Sequence, residues 1–142
     1  MLMVNHLTGF GGYQDASSSW AGAITNLGFG HSASGSVAVT VGAACAIGDT
    51  VFVIANSDGT NVPGVTDSGS NTWTQIGSTL NLNGSSANGN ATLWYSVLTT
   101  GLTSGVSTIT NTTSGAGSTQ LNCSKITGLS AAPLDTAVTA TA

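Results

Sequence analysis

The chain offers few side chains able to act as acids, bases, nucleophilic thiols or metal ligands: Asp15, Asp49, Asp58, Asp67 and Asp135, His6 and His31, Cys45 and Cys123. Glycosidase-type catalysis needs two carboxylates held about 5 to 9 Å apart. Each of these aspartates stands beside Gly, Ser or Thr, or in the N-terminal arm, where an Asx-turn or a cap accounts for it. Zinc sites favour paired Cys or His at short spacing, and neither pairing occurs. Asn56-Ser57-Asp58-Gly59-Thr60-Asn61 has the start of a calcium loop without its further carboxylates or terminal Glu, and reads as a hairpin turn. Ser34-Gly35-Ser36 precedes a strand rather than a helix, so no nucleophile elbow follows. Cys45 and Cys123 either close one long loop as a disulfide or lie buried as small thiols; with no leader encoded, the thiol reading is preferred. Sequons at Asn83, Asn90, Asn111 and Asn122 carry no weight in a chain so rich in Ser and Thr. The expectation is a protein that is not an enzyme and needs no metal or cofactor.

Charge narrows the partners. Lys125 is the one cation, there is no Arg, and the net charge is −4. A single lysine cannot neutralise a run of phosphates or hold an anionic bilayer surface, which argues against nucleic acid and membrane as partners. The longest apolar-rich stretch, Val37 to Gly48, is far shorter than the roughly 20 residues of a membrane helix. A mean hydropathy of +0.27 separates the chain from disordered sequences, which combine low hydropathy with high charge. The opening MLMVNHLTGF has neither the basic n-region nor the apolar core of a secretory leader, so export is not expected. A surface of Ser, Thr, Asn and Gly lacks the charges that keep sheet edges apart. It suits a subunit that lives packed in an assembly.

Two regions must position these residues. Residues 1–34 hold glycines, both histidines and the isolated aromatics Phe10, Tyr13, Trp20 and Phe29, with no sustained periodicity. They read as an extended arm whose aromatics anchor on a partner. Residues 35–142 read as a body of short strands between Gly/Asn/Ser turns. Val37, Val39 and Val41 alternate with Ala38 and Thr40, and Thr72–Ile76, Ala91–Thr99, Val106–Thr110 and Ser118–Ile126 continue the pattern. From Thr50 to Asn56 both faces are apolar, which predicts a central strand covered on both sides. Trp94 and Tyr95 must point to opposite faces of their strand. Phe52 and Ile54, or one of Trp94 and Tyr95, are therefore the candidates for an interface between copies in a homo-oligomer. Helix signals are thin, Ala43 to Ile47 being the best. The fold class is all-β: an antiparallel β-sandwich, jelly-roll or Greek-key like, with an extended N-terminal arm.

The run Val65-Thr66-Asp67-Ser68-Gly69-Ser70-Asn71-Thr72-Trp73-Thr74, then Leu93-Trp94-Tyr95-Ser96, then Ala132-Pro133-Leu134-Asp135, resembles a class of β-sandwich modules found in tailed-phage virion proteins and bacterial surface proteins. Their pattern is V-x-D-S-x-G-N-x-W/Y-T, L-W/Y-Y and P-L-D; here the turn is Asp-Ser-Gly-Ser-Asn, with Ser70 where the pattern has Gly. Joined to an aromatic, glycine-rich arm, the module looks like a phage capsid cement (decoration) protein. The resemblance implies a body, often a trimer, on the capsid exterior, with the major capsid protein as partner and assembly in the bacterial host's cytoplasm. Two other roles fit the same module: a carbohydrate-binding or adhesion domain of a tail fibre or surface protein, and a subunit of an extracellular filament built by strand exchange.

Overall fold

A computed structural model describes residues 22–59, 61–81, 89–113 and 117–129. They form eight strands: β1 (Ile24–Ser32), β2 (Val37–Thr40), β3 (Thr50–Ser57), β4 (Val65–Asp67), β5 (Thr74–Asn81), β6 (Asn90–Val97), β7 (Thr108–Asn111) and β8 (Thr119–Ile126). A five-stranded sheet, β1-β8-β3-β6-β5, packs on a three-stranded sheet, β2-β7-β4, and every pairing is antiparallel. The all-β sandwich expected from the strand pattern is the fold. Only β5 and β6 are consecutive strands of one sheet; every other step along the chain crosses between sheets. No helix among the described residues is long and apolar enough to cross a membrane.

Alternation explains the core. Val51, Val53 and Ala55 of β3, Leu121 and Cys123 of β8, and Ile109 of β7 are all fully enclosed between the layers. Each large apolar side chain removed from water in this way contributes about 1.5 to 3 kcal/mol. Val37 and Val39 cover them from β2, and Leu98 and Leu102 close one end. Trp73 and Trp94 are half-buried against the same cluster.

Three expectations need correction. The boundary at residue 34 falls after a strand that belongs to the body: β1 pairs along its length with β8. Its apolar period is hidden because Gly28 and Gly30 occupy inward positions, where a Cβ would stand 2.6 Å from Val39 Cγ1 and 2.9 Å from Val37 Cγ2. Glycine there lets β2 lie close over β1. A bulge between Asn26 and Gly28, with the Gly28 N–H donating to Asn26 Oδ1, further breaks the pattern. Residues 1–21, with Phe10, Tyr13 and Trp20, lie outside the described residues. Second, β3 is the middle strand of its sheet, but among the described residues only one of its faces is covered: Ile54 remains 50% exposed and Phe52 half-buried. Third, the Asn56–Asn61 turn is no hairpin, since it carries the chain from β3 to β4 in the opposite sheet. Ala43–Ile47, the best of the thin helix signals, is a turn containing an isolated bridge from Cys45 to Leu102.

Candidate functional site

The Val65–Thr74 motif builds a hydrogen-bonded clamp. Asp67 ends β4, and its Oδ1 accepts from the Gly69 N–H at 2.6 Å and from Asn71 Nδ2 at 3.1 Å, while Oδ2 accepts from Trp73 Nε1 at 2.6 Å. Buried Asn71 spans to the β6–β7 connection: its Oδ1 accepts from the Thr99 and Thr100 N–H groups, each at 2.8 Å, and its Nδ2 donates to the Thr100 carbonyl at 3.0 Å. Gly69 must lack a side chain, because a Cβ there would meet Asp67 Oδ1 and Asn71 Nδ2 at 2.9 Å. Ser70 takes the left-handed conformation, φ 55°, which favours glycine. These polar groups are therefore spent on each other.

Two further asparagines act alike. Asn90 Nδ2 donates to the Gly59 and Asn61 carbonyls at 3.0 and 3.1 Å, occupying oxygens of the turn that resembles the start of a calcium loop. Asn111 Nδ2 donates to the Asn56 carbonyl at 3.1 Å, and its Oδ1 accepts from the Thr113 N–H and hydroxyl. Both asparagines are fully buried. Their role was missed in the sequence, where they stand only as members of N-x-S/T triplets; a polar residue at an inward strand position was the signal.

Lys125 is also engaged internally. Its Nζ lies 3.3 Å from Asp49 Oδ2 and donates to the Ala44 carbonyl at 2.6 Å, while the same Asp49 oxygen accepts from the Ala46 N–H. The chain's one basic side chain thus ties the β2–β3 connection to β8. Cys45 and Cys123 are free thiols in the core. Burial pushes both up, Cys123 to about 12 with a smaller contribution from neighbouring Cys45; Lys125 partly offsets the rise at Cys45. Such thiols are inert towards nucleophilic chemistry. His31 sits on β1, its Nε2 2.9 Å from Ser118 Oγ, away from both thiols in the core. Among the described residues, no group of three or more His, Cys, Asp or Glu gathers at one place.

Apolar side chains also remain available to a partner among the described residues. Phe29, Ile54, Leu93 and Ile76 project from the outer face of the five-stranded sheet and, with Asn122, share one register row across it. Phe29 is 61% exposed and Ile54 50%. Beside this row Phe52 stacks on Tyr95, with ring centroids 6.2 Å apart. Trp94 faces inward and donates its indole N–H to Thr92 Oγ1 at 2.9 Å, so of the four interface candidates Phe52, Ile54 and Tyr95 lie outside and Trp94 is taken up by the core. Both Trp73 and Trp94 therefore use their indole N–H groups within the fold. A second set, Ile24, Ile47 and Val106, is about 70% exposed at the end of the sandwich where β1 begins and β8 ends. No protein-family model, curated protein or solved structure matches this chain.

Proposed function

We propose that the protein is a structural component of a viral shell, a capsid cement (decoration) protein that binds the outer face of a major capsid protein lattice and needs no catalysis, metal or cofactor. The observation that carries this reading is the end of the sandwich at which the N-terminal segment joins β1. Ile24, Ile47 and Val106 stand exposed there, and β1 begins at the same end, after a segment whose sequence contains Phe10, Tyr13 and Trp20. Such a surface gains by being covered: each large apolar side chain contributes about 1.5 to 3 kcal/mol on full burial. Ordering an extended segment costs about 1 to 2 kcal/mol per residue, so one segment binds weakly and several joined through an oligomeric body bind well. With Lys125 paired inside the chain, attachment has little electrostatic component.

The test uses heads purified from the encoding virus. Full-length protein is expected to co-sediment with them and to remain bound at 1 M salt, roughly the condition that cuts the screening length to about 3 Å. Deletion of residues 1–21, which spares β1, is expected to leave the body folded and abolish attachment. Full occupancy by the truncated protein, or release by salt, would refute the reading. Selective capture of a glycan on an array would favour the adhesion alternative, in which the Phe52–Tyr95 pair supplies the stacking surface.

A further inference from the structure

We propose that two copies of the chain pair through the outer face of the five-stranded sheet, about a twofold axis parallel to β3, each copy seating its Phe29 in an apolar groove beside β5 of the other. The groove, about 400 Å³, is lined chiefly by Ile54, Ile76, Leu80, Ala91 and Leu93. It opens where the β5–β6 register slips between Ile76 and Leu80, and Gly77 there takes φ 68°. Phe29 projects from the opposite edge strand.

Their placement is what makes the face self-complementary. β3 is the third of five strands, with β1 and β5 each two strands away, or about 10 Å on either side at the usual strand spacing. Rotation by a half-turn about an axis along β3 carries β1 of one copy over β5 of the other. It preserves height along the strands. Phe29 and Ile76 belong to the same register row, so the protruding ring arrives over the groove, and the symmetry forms the contact twice. A half-turn about the strand direction also maps a twisted sheet onto a parallel surface, so two copies nest across their width rather than touching only at corners.

Size and charge agree with that occupant. Five strands of about eight residues cover roughly 600 Å² in projection, before the relief of side chains is added, against about 800 Å² of accessible surface per partner in a stable complex. Among its described residues the face carries Asn, Gln, Ser and Thr between the apolar side chains, His31 at the β1 edge, and no Asp, Glu, Lys or Arg; the half-turn sets the two His31 side chains at opposite edges, about 19 Å apart, so a second copy meets no like charge. Ile54 lies on the axis. A threefold assembly would leave the knob and the groove, at opposite edges of one face, without this mutual fit. The pairing is measured without capsids, so its failure and that of the shell reading are separable.

The full-length protein is expected to sediment as a concentration-dependent dimer. F29A, at an exposed position that keeps the body folded by circular dichroism, is expected to weaken it at least about 100-fold, tenfold for each of two rings lost. A short bismaleimide should cross-link I54C to its own copy across the axis, and F29C to L80C when the two variants are mixed. It should not join F29C to itself, because the two Phe29 positions are about 19 Å apart, four strand spacings. A monomer at millimolar concentration, a trimer, an unchanged F29A dimer, or self-linking of F29C would each overturn the proposal.

Discussion

Replacing Asp67 by Ala tests whether the Asp-Ser-Gly-Ser-Asn-x-Trp motif serves the fold. The carboxylate accepts two short bonds, from Gly69 N–H and Trp73 Nε1, both at 2.6 Å, and a third from Asn71 Nδ2 at 3.1 Å. Hydrogen bonds to a charged acceptor contribute about 1.5 to 3 kcal/mol each. The clamp is only partly buried, so the freed donors recover some water and the lower figure applies to each short bond. The loss for D67A is then about 3 kcal/mol, which in a chain of this length lowers the melting temperature by about 10 °C. D67N keeps an acceptor for Gly69 but turns an amide N–H towards the Trp73 indole N–H, so it should lose about half as much. Urea denaturation measures both, and the Trp73 indole resonance reports whether its hydrogen bond survives. A D67A loss below about 0.5 kcal/mol, with that resonance unmoved, would refute the clamp and return Asp67 to the candidates for binding a ligand.

Other outcomes follow from single positions. Ser70 adopts φ 55°, a conformation that costs an L-residue about 1 to 2 kcal/mol; S70G should stabilise the protein by about 0.5 to 1 kcal/mol in the same titration, after glycine's own entropic penalty. G30A places a Cβ 2.9 Å from Val37 Cγ2 and Val39 Cγ2 and should cost about 1 to 3 kcal/mol by overpacking the β1–β2 contact. Cys123 ionises near its ordinary 9.0 when unfolded but only at about 12 when folded. The unfolded chain therefore loses its proton first, and stability falls as pH rises from about 9 towards 12, by up to about 1.4 kcal/mol per pH unit from this thiol. C123A should flatten that part of the profile by comparison with the parent chain.

Strands whose inward positions carry Val, Ile or Leu were legible in the sequence. β2, β3 and β8 follow the period of two within a residue or two of their ends, while β6, with Asn90, Thr92, Trp94 and Ser96 inward, was legible from its Thr, Leu and aromatic residues. β1 was not legible, because its inward positions are glycines chosen for close approach, and apolar periodicity has nothing to register at a missing side chain. β4 was hidden for another reason: its three residues, Val65–Asp67, lie inside a motif that reads locally as a turn. The opposite orientations of Trp94 and Tyr95 followed from strand geometry alone. The sequence left open which of them faced inward, because that depends on which sheet receives the other. The outer face of β3 was legible as apolar, but what covers it was not, since composition along one strand carries no information about what lies across from it.

The place of β8 governs how the molecule can be made. It lies between β1 and β3 in the larger sheet, and β1 has no other neighbour there among the described residues. The sheet's first strand thus waits for its last: His31 and Ser118, joined across that pairing, stand 87 positions apart. Closing such a span costs on the order of 4 kcal/mol in chain entropy before any pairing compensates it, and topologies dominated by such pairings fold in milliseconds to seconds rather than microseconds. During synthesis β1 and one edge of β3 therefore stay unpaired until nearly the whole described chain has emerged. A chain released before residue 119 exposes those edges, in a sequence with almost no charge to keep them from pairing with another molecule.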